Sequence, residues 1–179
     1  MTDHELERLL SLTEPGELRR LYDDAYQMKL KYIGKKVSIR GLIEISNICR
    51  KNCYYCGIRS GNRNVKRFQI SREEIIETAL WAYRHRFASL VLQSGEMMSD
   101  EFTEFIESIV REICAKTDHQ AGITLSLGEQ SPETYRRWRE AGATRYLLRI
   151  EASDPELYAK LHPADHSYEA RVACLRSLR

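Results

Sequence analysis

The chain has 179 residues, 42% of them hydrophobic, and a net charge of +2 from 28 basic and 26 acidic side chains. That length can bury one core, and the near balance of charge points to neither nucleic acid nor a membrane surface. No apolar run approaches the roughly 20 residues a bilayer span needs, the opening MTDHELERLL lacks the apolar region of an export signal, and five cysteines, an odd number, suit a reducing cytoplasm rather than a disulfide framework.

Residues 4–12 and 15–33 read as two helices. In the second, Leu18, Leu21, Tyr22, Ala25, Tyr26 and Met28 fall near helical spacing and Gly34 supplies the stop. Residues 1–35 are expected to form a helical collar on the main domain.

From Lys36 the pattern changes. Residues 37–45 are strand-like and lead into a loop rich in cysteine. Ser71 with Glu74 makes a capping box for a helix whose expected apolar face is Ile75, Ile76, Ala79, Leu80 and Tyr83. A second strand over 89–93 ends at Ser94, Gly95 and Glu96, and a helix follows over about 100–116. A third strand is expected over 123–127, after which Ser131 and Pro132 open another helix, because proline suits the first turn. The fourth strand is expected over 145–150. Asp154 with Pro155 starts the next helix, and residues 168–179 form the last.

Four strand-helix units in series predict an α/β fold with a parallel sheet and helices outside, the repeat of a (β/α) barrel. A full barrel needs eight units and about 250 residues. Residues 36–179 are therefore expected to form the N-terminal half of such a barrel, with the last strand's edge unpaired. In barrels of this kind the reactive groups lie at the C-terminal ends of the strands. The cysteine loop, the Ser94-Gly95-Glu96 turn, the stretch from Ser126 to Glu129, and Glu151 all fall at such ends.

The cysteine loop carries the most chemistry. Cys49, Cys53 and Cys56 stand within ISNICRKNCYYCGIRSGNRNVKRFQIS, residues 45–71. Three soft thiolates on one loop form a metal-ligand set, and three rather than four leave one coordination position open. A structural zinc site would be closed by a fourth Cys or His, so a small zinc-binding module is the competing reading. Cys114 lies on an apolar helix face and Cys174 in another helix, where both read as ordinary packed thiols. His85, His119, His162 and His166 read as solvated or capping side chains. The basic run Arg59, Arg63, Lys66, Arg67 lacks the spaced aromatics of a nucleic-acid site and reads as a solvated loop face or as help in neutralising an anionic cluster and substrate.

The spacing CxxxCxxC with Tyr55 before the third cysteine resembles the signature of the radical S-adenosylmethionine (radical SAM) enzymes. Together with VLQSGE (91–96), ITLSLGE (123–129) and RYLLRIEAS (145–153), it is similar to the HydE-type maturases of iron-iron hydrogenase, relatives of biotin synthase and methylornithine synthase. HydE-like sequences often carry His where Ile150 stands here.

The resemblance implies a four-iron four-sulfur cluster on Cys49, Cys53 and Cys56, with S-adenosylmethionine (SAM) on the open iron. It implies cofactor-binding roles for Ser126, Glu151 and Arg171. The Ser94-Gly95-Glu96 turn would lie along the methionine moiety, and Tyr55 near the adenine. Arg149 is a further substrate contact at the same end of strand four. The implied reaction is reductive cleavage of SAM to a 5'-deoxyadenosyl radical, acting on an iron-containing precursor in HydE-type enzymes or on an organic small molecule in the biotin synthase and methylornithine synthase relatives. The implied partners are a one-electron donor such as ferredoxin or flavodoxin and other hydrogenase maturation proteins, with no nucleic acid and no membrane. A half-barrel that keeps the cofactor residues without the rest of a substrate cavity is a third reading.

Overall fold

The structure is a computed structural model that describes residues 1–179. The chain divides into two compact units, Met1–Ser38 and Ile39–Arg179. In the first, α1 (Asp3–Leu10) starts from a capping box in which the Thr2 hydroxyl and the Glu5 carboxylate each accept the other's backbone N–H. Helix α2 (Pro15–Tyr32) has proline in its first turn, where the missing N–H costs nothing. No residue of either helix is buried. No helix of the chain is long and apolar enough to cross a membrane.

The second unit alternates strand and helix: β1 (Arg40–Ser46), α3 (Arg72–Arg84), β2 (Ser89–Ser94), α4 (Asp100–Lys116), β3 (Ile123–Ser126), α5 (Pro132–Ala141), β4 (Arg145–Tyr146), α6 (Pro155–Leu161) and α7 (Tyr168–Ser177). The four strands form one sheet in the order β1-β2-β3-β4, all parallel. The expected fold class is therefore present: a parallel α/β arrangement of four units.

Register explains which face is buried. Ile43 pairs with Leu92 and Leu92 with Leu125, and because side chains alternate along a strand these residues share a face with Ile45, Leu90 and Ile123. Against them pack Ile75 and Ala79 of α3, Ile106, Ile109, Val110 and Ile113 of α4, and Trp138 of α5, all nearly solvent-free. Each fully buried aliphatic side chain stabilises by about 1.5–3 kcal/mol. The indole of Trp138 keeps its polar atom satisfied by donating to Thr103 O at 3.0 Å, which locks α5 onto α4. The opposite face carries Leu42, 59% exposed, and Glu44, whose carboxylate accepts from Gln93 Nε2 at 3.0 Å.

Three expectations need correction. β1 starts at Arg40, not at 37, because its partner β2 begins at Ser89, opposite Arg40. β4 is two residues long, where 145–150 was expected; it has β3 on one side and no strand on the other, and two further bonds extend the ladder, Thr144 N–H to Ile123 O and Leu147 N–H to Leu125 O, each at 2.8 Å. On α3 the buried face includes Ala82, while Tyr83 is exposed. Short strands matter here, because all the loops after them leave from one edge of the sheet.

Candidate functional site

The cysteine loop is held in shape by polar groups on its own chain. At the end of β1 the Ser46 hydroxyl donates to Phe68 O at 3.0 Å. Asn47, buried, donates through Nδ2 to Lys66 O at 2.8 Å and accepts the Phe68 N–H at 2.8 Å. Arg67 donates to four carbonyls, of Asn47, Ile58, Arg59 and Asn62. Arg67 is thus a loop scaffold and not part of a solvated basic face, since the two terminal nitrogens of its guanidinium donate to four carbonyls of the loop.

All ten residues singled out from the sequence line one open cavity of about 200 Å³. The loop after β1 supplies Cys49, Cys53, Tyr55 and Cys56. The end of β2 supplies Ser94, Gly95 and Glu96, the end of β3 supplies Ser126, the segment after β4 supplies Glu151, and α7 supplies Arg171. Arg149 and Lys51 lie on the same wall. The approach of β2 to the cysteine loop depends on Gly95: a Cβ there would lie 2.3 Å from Ile48 O and 2.6 Å from Cys49 Cβ. Next to it, Cys49 Sγ accepts the Glu96 N–H at 3.3 Å, and the Arg50 N–H donates to Glu96 O at 2.9 Å.

Behind the cavity lies a buried ion network. Glu96 Oε1 contacts Arg50 Nε at 3.1 Å and Lys51 Nζ at 3.7 Å. Glu129 Oε2 takes Lys51 Nζ at 2.8 Å, and its Oε1 lies 2.8 Å from Arg171 Nε. That last contact is a charge contact without hydrogen-bond alignment, and Arg171 Nη1 donates to Arg149 O at 3.3 Å. Glu96 Oε2 also accepts the Glu129 N–H at 2.8 Å. Within this network three cations face two carboxylates, and Glu44, Glu151 and Arg149 line the cavity as well.

Burial pushes the Cys53 thiol up from its ordinary pKa, opposed by the Tyr55 hydroxyl and by Arg171. Burial, then the neighbouring Cys53 and Glu151, push the Tyr55 phenol up in turn. Both groups are therefore protonated near neutrality in the absence of a metal, and a metal would have to displace the Cys53 proton.

The three thiols are free of disulfide pairing. No three His, Cys, Asp or Glu side chains converge on a point closely enough to hold a single ion. Thiols spread around one cavity suit a polynuclear cluster, in which each binds a different iron, better than a closed zinc site. Cys114 is buried with Sγ 3.8 Å from Gly142 O, and Cys174 is half-buried with Sγ 3.7 Å from Gln130 O; both sit apart from the cavity lining, as expected of packed thiols.

Two histidines need correction. His162 and His166 are 3% and 8% exposed, so neither is solvated; His162 does cap, closing the C-terminus of α6 with its Nδ1 2.8 Å from Tyr158 O. Their ring Nε2 atoms face Tyr55 Oη at 3.1 Å and the Asn52 N–H at 2.9 Å. Their HxxxH spacing is visible in the sequence, but the Nε2 atom of each ring serves the cysteine loop. Lys51 was also missed; its place between two of the cysteines was the available signal.

Comparison with known proteins agrees with this geometry. The family model described as the radical SAM superfamily matches residues 43–179. The chain is 44% identical to the [FeFe] hydrogenase maturase subunit HydE of Thermotoga maritima over 97% of this chain and 49% of that protein. It is 31% identical to 3-methylornithine synthase of Methanosarcina acetivorans over 90% of this chain and 45% of that protein. Among solved structures, methylornithine synthase (PylB) superposes with a TM-score of 0.84 at 29% identity, covering 99% of this chain and 52% of that one. The [FeFe]-hydrogenase maturase HydG superposes at 0.82 with 20% identity, covering 95% of this chain and 39% of that one, a likeness of fold alone. The chain spans about half the length of the curated relatives it matches.

Proposed function

The chain belongs to the radical SAM superfamily, whose members use a four-iron four-sulfur cluster and SAM, and from that membership we propose that it reductively cleaves SAM in maturation of the iron-iron hydrogenase diiron site. The observation that carries the proposal is the convergence of Cys49, Cys53, Cys56 and seven candidate cofactor contacts on one cavity, in a chain 44% identical to a HydE maturase.

Cys49, Cys53 and Cys56 would hold the cluster. When bound and reduced, the cluster supplies the electron that splits SAM into methionine and a 5'-deoxyadenosyl radical. The residues around it bind and orient. Arg171 would meet the carboxylate of SAM and Glu151 its positive charge, with Ser126 on the wall of the same cavity. The Ser94-Gly95-Glu96 turn would lie along the methionine moiety, and Tyr55 would flank the adenine. Arg171, whose charge already acts on Cys53, and Lys51 on the same wall would offset part of the negative charge of the thiolates.

The substrate of this reading is an iron-containing precursor, the reductant is a ferredoxin- or flavodoxin-like donor, and other hydrogenase maturation proteins are the partners. A second reading, hydrogen abstraction from an organic substrate, is favoured by the likeness to 3-methylornithine synthase. The test is anaerobic reconstitution with iron and sulfide, reduction, and addition of SAM. Formation of 5'-deoxyadenosine and methionine in equal amounts is expected, and a loaded, reduced cluster that leaves SAM intact overturns the proposal. Deuterium passing from a labelled amino acid into 5'-deoxyadenosine would select the second reading.

A further inference from the structure

The segment joining α6 to α7 meets the cysteine loop through an unusual set of contacts. Three donors on residues 52–55 reach three acceptors on residues 161–166. The Tyr54 N–H donates to Leu161 O at 3.0 Å, the Asn52 N–H to His166 Nε2 at 2.9 Å, and Tyr55 Oη lies 3.1 Å from His162 Nε2. Cys53 stands in the middle of this stretch.

The partners settle the proton on each ring. His162 Nδ1 lies 2.8 Å from Tyr158 O, and a carbonyl only accepts, so Nδ1 carries the hydrogen and Nε2 accepts the Tyr55 O–H. The Tyr158 ring stacks on His162 at 3.9 Å and 18°, fixing the imidazole plane. At His166 a backbone N–H can only donate, so Nε2 is bare and Nδ1 carries the hydrogen, 2.8 Å from Asp165 Oδ1. Tyr55 itself is 49% exposed, and this bond to a buried imidazole is what anchors its phenol end.

We propose that His162 and His166 are positioning residues for the cofactor site: His166 fixes the backbone on which Cys53 binds the cluster, and His162 fixes the Tyr55 ring against the adenine of SAM. The inference rests on the radical SAM reading of the cavity. The two histidines act at different steps. Loss of the His166 acceptor loosens one ligand's backbone and so the hold on iron. Loss of the His162 acceptor frees a ring that SAM must then order, and so weakens SAM binding while leaving the cluster intact. A hydrogen bond of net worth about 0.5–1.5 kcal/mol corresponds to about a 2- to 10-fold effect.

The experiment uses the chain reconstituted with iron and sulfide, with two readouts besides turnover: the rate of iron loss to a chelator, and the SAM concentration that half-converts the reduced cluster's paramagnetic resonance signal. His166→Leu is expected to lose iron about 2- to 10-fold faster than wild type, and His166→Gln, which keeps an acceptor, at close to the wild-type rate. His162→Leu should raise the half-converting SAM concentration by about that factor and Tyr55→Phe, which also loses the hydroxyl beside Cys53, by at least as much, with the double variant no further than Tyr55→Phe alone, because the bond between the two is already gone. Tyr55 is half exposed, so Tyr55→Phe tests the contact even if a buried histidine variant fails to fold. Unchanged iron loss in His166→Leu, equal loss in His166→Gln, or additive effects of Tyr55→Phe and His162→Leu overturn the inference alone. A wild-type chain that forms no four-iron cluster, or one indifferent to SAM, overturns the radical SAM reading and the inference with it.

Discussion

The Lys51 ammonium lies 2.8 Å from Glu129 Oε2, with both side chains about nine-tenths buried. This contact ties the middle of the cysteine loop to the end of β3, across 78 residues of sequence. Taking Lys51 away leaves Glu129 with Arg171 and Glu96 with Arg50, the latter half exposed. Removing one partner of a buried pair is costly because the other charge stays desolvated. Lys51→Met is therefore expected to lower the unfolding free energy by about 1.5–3 kcal/mol in denaturant titrations, less than a wholly unpaired buried charge would cost, because each glutamate keeps one cation. A change below about 1 kcal/mol would mean that the pair is solvated and does not hold the loop.

Cys49, Cys53 and Cys56 line one cavity and Cys114 and Cys174 do not. Ser in place of any of the first three should abolish stable cluster assembly, because serine offers a hard oxygen where iron-sulfur chemistry needs a soft thiolate. Cys174→Ser should take up iron and sulfide like wild type. Iron and sulfide content after anaerobic reconstitution checks both, and a cluster surviving Cys53→Ser would contradict the assignment.

Gly95 has no room for a methyl group, since both obstructing atoms belong to the cysteine loop. Gly95→Ala must push that loop away from β2. Circular dichroism should stay near wild type while cluster uptake falls several-fold, the local loss that a clash at one loop predicts. Wild-type iron content in Gly95→Ala would show that the loop yields without consequence.

Two glutamates of α4 set an acid limit on stability. Hydrogen bonds from Arg111 and then Arg137 hold the Glu107 carboxyl below its ordinary value of 4.5, and Lys116 and Arg72 do the same for Glu112. A folded value below the unfolded one means that the unfolded chain takes up protons first. The stability contributed is full above about 4.5 and drains away as pH falls through the folded values. The melting temperature should therefore drop on acidification below pH 4.5, less steeply in the Glu107→Gln, Glu112→Gln double variant and less at high salt, since these pairs are partly exposed. An equal acid response in the double variant would place the effect elsewhere.

The parts of this molecule that follow local rules were legible in the sequence. Ser71 with Glu74 marked the start of α3 and Ser131 with Pro132 the start of α5, because caps are written in adjacent residues. The end of β4 was not legible: residues 145–150 have strand composition, but strand length is set by the neighbour, and β4 has only β3. The cysteine motif and the strand-end positions identified the cavity, since a parallel sheet brings all its C-terminal loops to one edge. The roles of Lys51, His162 and His166 were not legible, because they lie in pairings across 78 to 114 residues that local spacing does not specify. The role of Arg67 was hidden for a different reason, as its four acceptors lie only 5 to 20 residues away but are backbone carbonyls of an irregular loop, which side-chain patterns do not reveal.

The measurement that bears most directly on the central claim is electron paramagnetic resonance of the reconstituted, reduced chain, recorded with and without SAM. A four-iron signal whose shape changes on adding SAM is predicted, because the cofactor would bind the iron that no cysteine occupies. Zinc in place of iron, or a four-iron signal indifferent to SAM, would contradict the account.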